Sequence, residues 1–277
     1  MILNLHSLII EQFVTELKKA YTQTYSLMEP QYGNILEWTG RLALENIANS
    51  DALYHNVEHT IMVTLVGQSI LKGKHLTEGG ITPRDWLHFM MALLCHDIGY
   101  MRGVCQADSN GRYATGINNE TVSIPPGSTD AALTPYHVDR SKLFIYERFG
   151  DQSLTDVDPN TIARYIEMTR FPIPDDALHR KTSGYANLAR AADFIGQFGD
   201  PHYLRKIPAL YYEFEEINEN TKTGYDSPGH MRQSFTKFYW DVVSPHIQEA
   251  LRYLRKTQEG KQWIANLHSH VFDVEHN

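Results

Sequence analysis

The chain has 277 residues, of which 42% are hydrophobic and 21% charged, and its formal net charge is −8 with histidine neutral. That length suffices for one domain with a sizeable core, and the composition is that of an ordinary globular protein. The negative balance argues against a nucleic-acid partner, and it means that a small anionic substrate needs a metal or locally placed cations.

From the N-terminus, MILNLHSLIIEQF has no basic lead and no small-residue cleavage site, so it reads as the first turns of a helix and not as a signal peptide. Leu5, Leu8, Ile9, Phe13, Leu17 and Tyr21 continue it as an amphipathic helix over residues 5–28. The same spacing recurs over 34–48 and 56–73. Thr82-Pro83 opens a further helix, with Thr82 as N-cap, which runs through an apolar stretch to His96-Asp97-Ile98-Gly99, where Gly99 is placed to end it. Residues 103–134 are rich in Gly, Asn, Ser, Thr and Pro and form a loop insertion, read either as a lid over a site or as a surface excursion. Helical pattern returns over 135–149, 159–170, 183–198, 201–219, 230–254 and 259–268. No alternating strand run and no linker composition appears, and no stretch approaches a membrane span. The expectation is a single all-α domain over 1–277, with C-terminal helices over 201–270. Cys95 and Cys105 form no CxxC pair, which fits a reducing, cytoplasmic setting.

Three segments carry candidate chemistry. In Tyr54-His55-Asn56-Val57-Glu58-His59 the two histidines are four apart, one above the other if the segment is helical. His96-Asp97 follows an apolar run, where an ionised Asp is costly unless a cation pairs with it, and a turning helix end lets both side chains converge. Asp193 lies in the apolar segment Leu188-Ala189-Arg190-Ala191-Ala192-Asp193-Phe194-Ile195; the plainer alternative is an ion pair with Arg190. Two imidazoles and two carboxylates suit a divalent ion such as Mn, Fe, Co, Ni, Zn or Mg.

The order YHNxxH, then an apolar helix ending in HD, then a distant Asp resembles the HD superfamily of metal-dependent phosphohydrolases, in its cyclic-nucleotide phosphodiesterase-like branch. The likeness covers about residues 50–198 and extends more faintly to 247. It implies an all-α HD-type bundle in which His59, His96, Asp97 and Asp193 hold one tight metal, and Asp97 bridges to a looser second one. It implies that His55 is the general acid, that His137 borders the second metal or the substrate, and that metal-activated hydroxide cleaves a small phosphoester such as a nucleotide or cyclic nucleotide. Arg102, Arg140 and Arg190 are available cations for phosphate, or else solvated surface residues.

The chain also departs from that pattern. Aligned on Pro245, Phe238 falls on the family's aromatic clamp, but Phe235 falls where a purine-selecting glutamine is expected, and Gln233 lies two residues earlier. The doublet is followed by Ile-Gly-Tyr-Met-Arg and not by a further acid and histidine. Between the doublet and Asp193 only His137 and His179 remain, with His179 read as a surface residue. A di-iron oxygenase, which needs a fuller cage, and a non-catalytic metal-bound interaction module are the alternatives. The oligomeric state is not legible.

Overall fold

The apolar stripes of the first two helices face each other. α1 (Leu5–Tyr25) buries Phe13, Val14, Leu17 and Tyr21 against Tyr32, Leu36, Ala43 and Leu44 of α2 (Pro30–Ile47). α3 (Val57–Glu78) is the central rod: it is buried on more than one side and packs on α4, α7 and α12, as a helix without a polar face must. This computed structural model describes residues 4–151 and 154–276.

α4 (Pro83–Cys95) starts on the expected N-cap. The Thr82 side chain accepts from the Asp85 N–H, and Asp85 accepts from the Thr82 N–H, a closed capping box. Every residue from Trp86 to Cys95 is buried, and both cysteines are free buried thiols. The helix stops at Cys95, and a 3₁₀ turn (Ile98–Tyr100) follows.

The insertion is not wholly irregular. β1 (Arg112–Ala114) and β2 (Thr121–Ser123) pair antiparallel with Tyr113 opposite Val122, which corrects the expectation of no strand. Strands of three residues are too short for alternation to register in the sequence. A 3₁₀ stretch (Asp130–Tyr136) leads into α5 (His137–Phe149), α6 (Pro159–Glu167), α7 (Gly184–Phe198) and α8 (Tyr203–Glu216).

The expected helix over 230–254 is broken. α9 (Glu219–Thr223), α10 (Pro228–Gln233) and α11 (Phe235–Phe238) are short, and a π turn (Tyr239–Val243) precedes α12 (Ser244–Leu254) and α13 (Gln258–His276). Pro245, early in α12, has no N–H to continue the ladder from the preceding turn, and the backbone accommodates it in the wider π register. Apart from the two-stranded ribbon the fold is all-α, and one buried cluster runs from Ile10 to Val271. Among the described residues no helix is long and apolar enough to cross a membrane.

Two glycines bring the elements close enough to build a site. A Cβ on Gly196 would lie 2.6 Å from the Val63 Cα, so only glycine lets α7 press onto α3. A Cβ on Gly99 would lie 1.9 Å from the His137 carbonyl oxygen. Gly99 therefore serves close approach of α5, and the end of α4 is set upstream at Cys95.

Candidate metal centre

Asn56 caps α3. Its side-chain oxygen accepts from the backbone N–H of Glu58 at 3.0 Å and of His59 at 3.2 Å, which places His59 in the first turn with its ring inward. His55 lies before the cap. The expectation of two histidines stacked on one helix face is thus corrected: the rings meet nearly at right angles, at 82°, with centroids 5.5 Å apart.

His96 and Asp97 sit where α4 gives way to the 3₁₀ turn, and the change of direction brings both side chains to one point. The His59 Nε2 is 3.3 Å from Asp97 Oδ2 and 3.4 Å from Asp193 Oδ1. The His96 Nε2 is 3.1 Å and 3.6 Å from the same two oxygens. Ligands about 2.1 Å from one ion stand about 3.0 Å apart on an octahedron and about 3.4 Å apart on a tetrahedron. The four separations of 3.1–3.6 Å fall in the range of those edges, and the donors of His59, His96 and Asp193 all lie within 4.8 Å of one another, as do those of His55, His59 and Asp97. Arg190, the alternative partner of Asp193, instead donates to the Met168 and His179 carbonyls.

Hydrogen bonding shows which lone pairs face inward. His96 Nδ1 lies 2.7 Å from the Leu93 carbonyl, which only accepts, so Nδ1 carries the proton and Nε2 presents its lone pair. That Nε2 and Asp97 Oδ2 are buried with no hydrogen-bond partner. Two facing acceptors at 3.1 Å repel unless a positive charge lies between them. Without an ion, protons fill that role. Burial opposes both charges, yet the neighbouring carboxylates hold His96 well above the usual histidine range, and His96 and His59 hold Asp97 well below the usual carboxylate range. Asp193, half-buried and 3.4 Å and 3.6 Å from the His59 and His96 Nε2 atoms, is brought down to about 2 by those histidines against the cost of its burial.

Beside the cluster, His55 Nδ1 meets Glu213 Oε2 at 2.5 Å. Glu213 Oε1 also accepts from the backbone N–H of Tyr54 at 2.6 Å and of His55 at 3.2 Å. Burial pulls the His55 imidazolium down, but the Glu213 carboxylate more than reverses this, and His55 rises to about 9. The Tyr100 ring stacks between His55 and His137, with centroids 4.5 Å and 4.4 Å away. His137 Nδ1 bonds the Thr134 carbonyl at 2.6 Å, and its Nε2 is 3.9 Å from Asp97 Oδ1. Burial outweighs the pull of Asp97 and lowers His137 below its usual value, which keeps that ring neutral.

The profile of the Npun_R2479-like family matches residues 3–277. The chain belongs to this family. No curated protein matches it.

In this Npun_R2479-like chain the other expected residues divide. Phe238 lines a cavity of about 450 Å³ that opens from His55, Asp97 and Asp193, and Phe235 lines it too. Gln233 is not among its lining residues. Neither Arg102 nor Arg140 reaches it, so both are corrected as substrate contacts. Arg102 pairs with Asp51 and Asp130. Arg140 is fully buried and donates to the Gly99, Met101 and Ala114 carbonyls and to Asp108, which ties the insertion to the doublet turn. Arg190 and His179 are buried as well, not solvated. Of residues 103–134 only Thr134 lines the cavity, so the insertion does not lie over it as a lid.

Sequence reasoning missed Glu213 and Tyr100. Glu213 shares a three-residue spacing with the buried Ile207 and Leu210, the one signal that separates it from exposed neighbours in Tyr-Tyr-Glu-Phe-Glu-Glu.

Proposed function

We propose that the chain is a metal-dependent phosphohydrolase of the HD type acting on a small phosphoester. The observation that carries the reading is the pair of partnerless buried acceptors, His96 Nε2 and Asp97 Oδ2, facing His59 and Asp193 next to a histidine backed by a carboxylate. The order of these residues along the chain is that of HD phosphohydrolases, which adds support.

His59, His96, Asp97 and Asp193 would hold one divalent ion, and Asp97 and His137, whose Nε2 is 3.9 Å from Asp97 Oδ1, would hold a second. When bound, such an ion supplies Lewis acidity toward water and a phosphoryl oxygen. His55 holds its proton at Nε2 while Glu213 fixes Nδ1, and with its value near 9 it stays charged at neutral pH and donates to the leaving oxygen. Glu213 orients the ring through one oxygen and ties the backbone ahead of α3 through the other. Tyr100 stacks against both His55 and His137, tilted 15° and 21° from them, and its own buried phenol stays protonated, with its value raised well above normal. Phe171, Phe198 and Phe238 present apolar surface that restricts water around the phosphoester.

The test is metal analysis of the purified protein, followed by phosphate release from mono- and diesters with added Mn. Stoichiometric metal with turnover is expected. Metal-free protein that takes up no Mn, Fe, Co, Ni or Zn would remove the reading.

A further inference from the structure

A second cavity, of about 400 Å³, lies between α1, α3 and α13 and shares no lining residue with the cleft. That volume is within the range of small-molecule pockets. Gln68, which lines it, comes nine residues after His59, two and a half turns along α3, and so stands on the opposite face of the helix from the candidate metal centre.

Leu65, Gln68, Ser69 and Lys72 form the α3 side of the cavity, one stripe at spacings of three and four. Phe13 and Leu17 of α1 and Trp263 of α13 supply apolar walls. Gln68 is 9% exposed and Ser69 3%, and among the described residues neither side chain hydrogen-bonds to the protein. Other hydroxyls of the same helix behave differently. Thr60, Thr64 and Thr77 each turn back and donate to the carbonyl four residues earlier, on Asn56, Thr60 and Gly73. Ser69 does not. A buried amide beside a buried hydroxyl, both without partners, costs free energy, and a ligand that brings a donor and an acceptor offsets the cost.

The rim sets the charge of that ligand. Lys19 pairs with Glu16 at 3.2 Å and Lys72 with Glu259 at 3.5 Å, so two cations stand against two anions. The balance leaves no net pull on an anion or a cation. The Phe13 and Trp263 rings suit a flat apolar body.

We propose that this cavity is a second ligand site, independent of the hydrolase reading, that takes a small uncharged molecule with a carboxamide on a flat apolar body. Gln68 and Ser69 bond the carboxamide, and Phe13 and Trp263 flank the body.

The test is a titration of full-length protein, isotope-labelled at tryptophan, followed by nuclear magnetic resonance with three probes of one shape: benzamide, benzoate and benzylammonium. The chain has four tryptophans, of which Trp263 lines this cavity and none lines the cleft. Its indole N–H resonance, identified with Trp263→Phe, therefore reports this cavity and not the cleft. Benzamide is expected to shift that resonance saturably with Kd on the order of 1 mM, and to bind about tenfold or more tighter than either charged probe. Gln68→Leu is expected to weaken benzamide by about tenfold and to leave Tm unchanged or raised, because it removes an amide that has no partner in the protein. No saturable shift at about ten times that concentration overturns the proposal, and so does a charged probe that binds as tightly as benzamide. Unchanged benzamide affinity in Gln68→Leu also overturns it. A Gln68→Leu protein that loses stability or fails to fold shows an amide bonded within the protein, which overturns it as well.

Discussion

Two buried polar clusters lie on either side of the turn after α4, and they follow opposite rules. Arg140 has five N–H donors, and all five are used: Nε on the Gly99 carbonyl, Nη1 on Asp108 and the Ala114 carbonyl, Nη2 on the Met101 carbonyl and Asp108. On the other side, His96 Nε2 and Asp97 Oδ2 are as deeply buried and have no hydrogen-bond partner. Ser141 joins the two, since its hydroxyl donates to the His96 carbonyl at 2.7 Å and accepts from the Gly99 N–H at 2.9 Å. A saturated cluster is scaffold. An unsaturated one with the same burial leaves facing acceptors that a proton or a cation has to reconcile.

The largest expected break in this contrast is Asp97→Ala, which removes the oxygen shared by both histidines. Metal content should fall to background, and turnover should drop by about 10⁴-fold or more, checked by elemental analysis and initial rates. His55→Ala should keep its metal and lose about 10²–10⁴-fold in kcat, because general acid help goes while the four donors stay. Full rate in that variant would take His55 out of the acid role. On the saturated side, Arg140→Met leaves Asp108 buried without its charge partner and should cost about 3–5 kcal/mol in urea unfolding.

Chelation sharpens the comparison without mutation. If the open cluster holds an ion, saturating metal at about 100 times Kd adds about 2.7 kcal/mol, and stripping it should lower Tm by roughly 5–10 °C. Glu213→Gln should act least. It removes the largest of the charges that lift His55 to about 9 and leaves only Asp97 and Asp193 to oppose burial, so the value falls. The alkaline limb of the rate profile should move to lower pH, with about a tenfold loss near pH 8.5 and little change near pH 6.

Much of the scaffold was legible because it rests on local rules. Thr82-Pro83 marked the start of α4, and the apolar spacing of α1, α2 and α7 survived to within a few residues. The four side chains proposed as ligands were singled out by their order in the chain, and the structure brings the two histidines within 3.1–3.6 Å of the two carboxylates. What escaped depends on contacts distant in sequence. Glu213 becomes significant only when α8 lies against the segment ahead of α3, and Arg140 only when the insertion folds back over α5. Nothing in Val138-Asp139-Arg140-Ser141 distinguishes a saturated guanidinium from a solvated one. The break at 239–243 was hidden because Pro245 sits in an otherwise regular helical spacing.

The four donors are not equally shielded. The His59, His96 and Asp97 side chains are 4%, 1% and 6% exposed, while that of Asp193 is 19% exposed and borders the cleft. Behind them the α3–α7 seam is closed at Gly196. An ion held by this cluster would therefore enter and leave through the cleft, and a ligand in the cleft would act as its stopper. Removal of metal by a chelator should slow in proportion to cleft occupancy, so that stopped-flow stripping reports ligand binding even for a compound that is never turned over.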